Sequence, residues 1–261
     1  MPEALVTAER RGDTLVARLN RPDDGNAVNR ALAVDLAALV GDCAADKALR
    51  ALIITGAGPR FFCTGGDVKA YARVQDAATL DEVFDLIRNL LDAIAALHCP
   101  VIAAINGYAI GGGAELALAC DLRVMDAGAQ IGFPQSRLGI MPGWDGLGRL
   151  VALTGRAAAT RMLMKGTRVT AAEAQAIGLV DEVAPPGEAL AQALALAATL
   201  AETAPLSLAA IKQALGVADR GDGTALRAHT RAAFNRLWFS ADHKEAERAF
   251  AEKRTPKFNG T

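Results

Sequence analysis

The sequence predicts an α/β fold of buried strands joined by helical crossovers, followed by a region of helices alone. Three observations carry this: short aliphatic runs bounded by turn residues, helical periodicity between them, and the loss of strand-like runs beyond about residue 187. A chain of 261 residues can bury a substantial core, as one large domain or as a core with a smaller appended piece.

The strand candidates are residues 14–20 (TLVARLN), 49–55 (LRALIIT), 100–105 (PVIAAI) and 121–125 (DLRVM). Their wide spacing requires crossovers, and residues 30–43 and 81–97 have the periodicity to supply them. In the second, Val83, Phe84, Ile87, Leu91 and Ile94 recur at three- and four-residue steps, so that face is expected in the core. Such a layered fold gathers its functional loops at one edge of the sheet. Past the turn Pro185-Pro186-Gly187, the segments EALAQALALAATLAETAP, LSLAAIKQAL and 226–253 read as helix. The expected organisation is a core over residues 1–187 and a helical region over 188–261.

Composition narrows the function classes. With 52% hydrophobic and 22% charged residues the chain is an ordinary compact protein, and a net charge of −1 offers no field for nucleic acid or an acidic membrane. Charges within the first ten residues and no apolar core there argue against a secretory signal, so a cytoplasmic location is expected. The apolar stretch 100–120 has about the length of a membrane span but is broken by Asn106, three glycines and Glu115; it reads as strand, loop and helix. Cys43, Cys63, Cys99 and Cys120 show neither CxxC spacing nor clustered histidines, so no metal site and no disulfide framework is expected. His98, His229 and His243 are scattered, which gives no support to a histidine triad.

Two loops carry the chemistry. YAIGGGAEL (108–116) sets Gly111, Gly112 and Gly113 against Glu115, and FFCTGGDVKAY (61–71) is built alike around Thr64, Gly65, Gly66 and Asp67. Glycine costs roughly 0.5–1 kcal/mol more than alanine inside regular structure, so bare backbone must be needed there. Tight packing would explain a single cluster; two matched loops suggest backbone N–H groups converging on one developing negative charge. Neither loop fits a phosphate-binding GxxxxGK[ST] or a GxGxxG motif. Glu115 precedes an apolar run, so burial should raise its pKa into a range useful for proton transfer.

LNRPDDGNAV (19–28), FFCTGGDVK (61–69), VIAAINGYAIGGGAELALACD (101–121), FPQSRLGIMPG (133–143) and AFAEKRTPKF (249–258) occur in one order, and together they resemble the crotonase, or enoyl-CoA hydratase/isomerase, family over essentially the whole chain. The resemblance implies a spiral of ββα units with a C-terminal helical region used in assembly as a homotrimer or dimer of trimers. It implies an acyl-CoA thioester substrate, with coenzyme A part of that substrate and no separate cofactor. The oxyanion donors would be Gly66 and Gly112, and Glu115 the acid/base. Coenzyme A would contact Asp24 and Gly25 through backbone, the Thr64 to Asp67 loop, and Lys69, Lys253, Arg254 or Lys257.

Two departures from the family pattern matter. Gln135 stands where hydratases carry a second glutamate, and an amide can orient water but not exchange a proton with it. Gly143 is followed by Trp144 and Asp145 where relatives carry small residues. Asp145 is expected to cap the next helix, or else to supply the missing carboxylate, while Trp144 would shape the acyl pocket. Hydration or isomerisation of an enoyl-CoA leads the readings. Thioester or C–C hydrolysis, decarboxylation and silent acyl-CoA binding remain open.

Overall fold

The four expected strands are four adjacent members of one sheet. The computed structural model describes residues 4–72, 74–219 and 221–261. In chain order the elements are β1 (Val6–Arg11), β2 (Thr14–Leu19), α1 (Arg30–Ala45), β3 (Ala51–Gly56), β4 (Phe61–Cys63), α2 (Val68–Tyr71) and α3 (Ala77–Ala96). There follow β5 (Val101–Ile105), β6 (Tyr108–Ile110), α4 (Gly112–Ala119), β7 (Leu122–Asp126), β8 (Gln130–Gly132), α5 (Gly146–Lys165), β9 (Arg168–Thr170) and α6 (Ala171–Ala176). The chain ends with β10 (Glu182–Ala184), α7 (Ala189–Ala201), α8 (Pro205–Ala218), α9 (Gly223–Trp238) and α10 (Ala241–Glu252).

The larger sheet has the order β1-β2-β3-β5-β7-β10 and the smaller one β4-β6-β8-β9. From β2 to β10 the larger sheet is parallel, with β1 antiparallel at its edge. Three times in succession the chain lays one strand in the larger sheet, the next in the smaller, and then enters a helical stretch: β3 and β4, β5 and β6, β7 and β8. That is the ββα spiral the resemblance implied.

Both faces of the larger sheet are buried, which is why β3 and β5 read as unbroken apolar runs. Leu52, Ile54, Val101 and Ala103 face one core with α1, α3 and α4. Ala51, Ile53, Ile102 and Ala104 face a second core, against Ala189, Ala193 and Ala197 of α7. Fully burying one such aliphatic side chain is worth about 1.5–3 kcal/mol, so β3 and β5 anchor the frame from which the loops project.

The sequence missed the elements with weak patterns. β1 is a largely exposed edge of sequence VTAERR, without an apolar face to betray it. β4, β6, β8, β9 and β10 are three residues each, too short to show a period of two. The segment 226–253, expected as one helix, is two: Phe239 ends α9, and Ser240 caps α10 by accepting a hydrogen bond from His243 N at 3.1 Å. The expected boundary at residue 187 lies just before α7, whose small alanine face lies across the sheet. Among the described residues no single helix is long and apolar enough to cross a membrane.

Candidate active site

The small sheet brings the two glycine loops together, because β4 and β6 are parallel neighbours and each loop leaves the end of one of them. The segment that expects coenzyme A is stitched to the first loop: Thr64 N donates to Gly25 O at 3.0 Å, Val28 N to Gly65 O at 2.8 Å and Asp67 N to Val28 O at 3.0 Å. Arg21 ties both sides, reaching Asp24 at 2.7 Å and Asp67 at 2.9 Å. Thus Asp24, Gly25, Thr64, Gly65, Gly66 and Asp67 occupy one corner.

Gly65 makes the loops touch. Its φ of 94° is a left-handed conformation, and a Cβ there would lie 2.9 Å from Gly112 N. The N–H groups of Gly66 and Gly112 donate to no acceptor among the described residues, the first because the bridge to Val28 uses its neighbours and the second because it opens α4. The positive end of the α4 dipole points the same way. Gly113 serves packing instead, since a Cβ there would lie 2.0 Å from Cys63 O.

Glu115 sits in the first turn of α4, a helix buried on nearly all sides, and is itself 1% exposed. Its Oε2 accepts from Trp144 N and Gly146 N, both at 2.9 Å, and its Oε1 accepts from Gln135 Nε2 at 3.1 Å. Burial pushes its pKa up, and these neutral donors pull against that rise without cancelling it. The result is a carboxyl group held in place yet able to take up and release a proton.

Gln135 lies on a short 3-10 turn, Pro134–Leu138, that follows β8. It is 6% exposed, and its Oε1 has no donor, a cost that a water or substrate O–H would relieve. Trp144, 3% exposed, places its six-membered ring 2.4–2.7 Å from where a Cβ on Gly112 would be, and 3.6 Å from the same point on Gly66. Tyr71 closes on Gly66 from another side, with its hydroxyl donating to Val28 O at 2.7 Å and its ring 5.8 Å from that of Phe84. Phe84 in turn abuts Gly143. Two aromatic rings, Trp144 and Tyr71, therefore wall the paired N–H groups, and Phe84 backs them through Tyr71 and Gly143. An apolar cavity of about 420 Å³, lined by Phe133, Met141, Pro142, Leu147 and Leu163, shares Gln135 with this site.

Several expectations need correction. Asp145 holds the N-cap position of α5 but makes no capping hydrogen bond. Nor does it replace the missing carboxylate: its exposed side chain faces a separate cavity of about 860 Å³ with Arg149, Lys212 and His229, lined by neither Glu115 nor Gln135. Arg254 is spent on Glu245 and Glu252. Lys69, Lys253 and Lys257 are exposed, and the tail's hydrogen bonds run to α10, where Lys257 N donates to Glu245 and Asn259 N to Asp242. Of the four cations expected to contact coenzyme A, then, Lys69 is the one that directly follows a glycine loop in sequence.

Sequence reasoning overlooked Arg21, Tyr71, Arg88 and Gly146 as parts of the site, and placed Phe84 in the core alone. Arg21 and Tyr71 lie inside the segments LNRPDDGNAV and FFCTGGDVKAY, where the glycines and aspartates drew the reading, and Phe84, Arg88 and Gly146 lie outside the quoted segments. Their roles arise from contacts between segments far apart in the chain.

Comparisons with known proteins identify the family. The sequence profile described as enoyl-CoA hydratase/isomerase matches residues 9–261. The 2,3-dehydroadipyl-CoA hydratase of Escherichia coli is 40% identical over 260 residues, covering all of both chains. The short-chain-enoyl-CoA hydratase of Clostridium acetobutylicum is 34% identical over 251 residues, 95% of each chain. Among solved structures, an enoyl-CoA hydratase from Bacillus anthracis superposes with a TM-score of 0.94 at 31% identity, covering 98% of this chain and 100% of its own. The chain therefore belongs to the enoyl-CoA hydratase/isomerase family.

Proposed function

We propose that the protein hydrates the double bond of an enoyl-CoA thioester, with Glu115 as its one acid/base group. The observation that carries this reading is Gln135: its Nε2 is committed to Glu115 at 3.1 Å, and its buried Oε1 lacks a donor beside that carboxylate. A water there donates one hydrogen to Gln135 Oε1 and the other to Glu115 Oε1.

In this mechanism the thioester oxygen accepts from Gly66 N–H and Gly112 N–H. The water oxygen adds to Cβ as its proton passes to Glu115, and the electron pair of the double bond moves to form an enolate whose charge rests on the thioester oxygen. Glu115 then returns its proton to Cα, which closes the cycle without a second acid. Each oxyanion donor in such a site is worth about 3–4 kcal/mol of barrier. Isomerisation is the second reading, favoured by the lone carboxylate: the same group would take a proton from one carbon and return it two positions away.

Backbone of Asp24 and Gly25 and the Lys69 ammonium are suited to the coenzyme A half. The acyl half would lie against Trp144, Tyr71 and Phe84 and extend into the apolar cavity beside Gln135. The E. coli relative's name indicates a C6 dicarboxylic acyl group, which makes that substrate worth including in an assay. We also infer self-association, as the resemblance implies, because α9, α10 and the turn between them expose Phe234, Trp238, Phe239 and Phe250 at 50–87%. Light scattering would give the mass, and a trimeric or hexameric particle is expected.

The test of the reaction is an assay of wild type and Glu115→Gln on crotonyl-CoA, a 3-enoyl-CoA and 2,3-dehydroadipyl-CoA, with products resolved by mass. A gain of one water, lost in the variant, is expected. Double-bond movement without a mass change would replace hydration with isomerisation, and wild-type inactivity on all three would overturn both.

A further inference from the structure

Asp145 is one of three non-glycine residues with positive φ among those described, at φ 59° and ψ 22°. A left-handed residue without a capping bond is strained, and Asp and Asn tolerate it better than other side chains. What it accomplishes is visible on either side. The peptide N–H before it, of Trp144, and the one after it, of Gly146, both donate at 2.9 Å to the same oxygen, Glu115 Oε2. An extended or right-handed residue at 145 would turn one of those two N–H groups away.

The first of these peptides is also gripped from behind. Arg88 Nε, from α3, donates at 3.0 Å to Gly143 O, the carbonyl of the peptide whose N–H belongs to Trp144. A cation on the carbonyl end polarises that peptide and strengthens the hydrogen bond at its other end. Arg149 Nη1 points at Trp144 O from α5 at 3.4 Å while pairing with Asp92 at 2.7 Å, and Arg88 also pairs with Asp85 at 2.8 Å. Lys212 and His229, from α8 and α9, line the cavity that the Asp145 side chain faces, together with Asp219. Of these charged groups only the two guanidiniums bond to the loop, both at carbonyls, and neither binds the Glu115 carboxylate.

We propose that Asp145 and Arg88 are positioning residues which, through the backbone of residues 143–146, lock Glu115 Oε2 as a permanent acceptor and thereby make Oε1 the oxygen that carries the transferred proton. This rests on Glu115 being the acid/base group. With two N–H donors aimed at Oε2, a proton on that oxygen would displace one of them, whereas Oε1 has a single donor, the Gln135 amide, whose own oxygen is left without a partner. Asp145 thus contributes by its backbone, in a place where its carboxylate has no partner to serve.

The experiment uses the full-length protein labelled with 13C at the glutamate side-chain carboxyl, with the Glu115 resonance identified by its loss in Glu115→Gln. Its titration is followed in wild type, Asp145→Gly, Asp145→Val and Arg88→Gln, beside kcat on whichever acyl-CoA the wild type turns over. Glycine adopts the left-handed turn freely, so Asp145→Gly is expected to titrate as wild type and keep kcat within about threefold. Asp145→Val and Arg88→Gln should each shift the Glu115 titration upward, since donors to the ionised form are lost or weakened, and lower kcat by about 10- to 100-fold. Arg88→Gln leaves the turn itself intact, so it carries the test should valine prevent folding. The proposal is overturned if Asp145→Gly falls as far as Asp145→Val, which would make the carboxylate itself the active feature. Unchanged titration in both Asp145→Val and Arg88→Gln would also overturn it. The titration does not depend on the reaction, so an enzyme inactive on enoyl-CoA would fault the proposed chemistry and leave this result readable.

Discussion

Two carboxylates stand at opposite ends of one buried helix. Glu115 lies in the first turn of α4, and Asp121 two residues past its end. Burial raises the pKa of both. Glu115 is held by neutral donors alone, two backbone N–H groups and the Gln135 amide. Asp121 is held by a cation: its Oδ2 accepts from Lys212 Nζ and from Val101 N, both at 2.7 Å, while Lys212 also donates to Ile94 O and Cys99 O.

The difference decides what each can do. Protonating Asp121 would strand a largely buried ammonium, so that group is a fastening between α8 and the sheet. Protonating Glu115 leaves no counter-charge behind, because its partners are dipoles. A carboxylate that must cycle its proton is better held by N–H groups than by lysine or arginine.

The sharpest way to break this comparison is Glu115→Gln. Turnover should fall by at least about 10³-fold, near the upper range for general acid–base groups. Were activity retained, Glu115 would be another fastening. The same variant carries a stability signature. The folded state binds the Glu115 proton more tightly than the unfolded chain does, so its contribution is fully present below the ordinary carboxylate range. It is lost as pH rises through that range to the raised value. The Tm of Glu115→Gln relative to wild type should therefore rise as pH is raised from the ordinary carboxylate range upward.

Next in size is Gly65→Ala. Its Cβ would press on Gly112 N, and the left-handed φ of 94° resists any side chain, so kcat should drop by about 10²-fold while buried Glu115 still titrates above the normal range. A proton-transfer group intact beside a broken oxyanion pair would separate the two halves of the mechanism.

Asp121→Asn should do the reverse. We expect activity within a few-fold of wild type and a loss of about 1–3 kcal/mol in urea unfolding, scaled down from a fully buried pair because the Asp121 side chain is 28% exposed. Adding Lys212→Met should recover part of that loss; strict additivity of the two changes would show that the pair does not couple. The smallest effect is Trp144→Ala, which removes the ring over Gly112. KM for short enoyl-CoA substrates should rise a few-fold, and bulkier acyl groups should gain relative to them.

Much of this was legible in sequence where pattern is local. The central strands announced themselves as apolar runs because both faces of the larger sheet are covered. The paired glycine loops and Glu115 stood out because bare backbone next to a carboxylate is unusual in a chain that is burying itself. The partners of Glu115 were not legible. Trp144 N, Gly146 N and Gln135 lie 20 to 31 residues further along, and two of them act through a backbone N–H that every residue type but proline shares. Asp145 was misread for the same reason: its side chain invited a role as cap or acid, while the feature in use is a dihedral angle.

By itself, then, the sequence determined a layered α/β class, its main strands and the buried carboxylate, because burial periodicity and glycine placement are written locally; the family and its spiral followed from the resemblance of the ordered motifs. The tertiary structure alone decided that Gly65 touches Gly112, that Trp144 covers Gly112 and Gly66, that Arg88 holds Gly143 O while Gly146 N reaches Glu115, and that Asp121 is tied to Lys212. Those are contacts between segments brought together by the crossovers of the sheet, and their energies depend on distance and dielectric, which a linear order of residues does not specify.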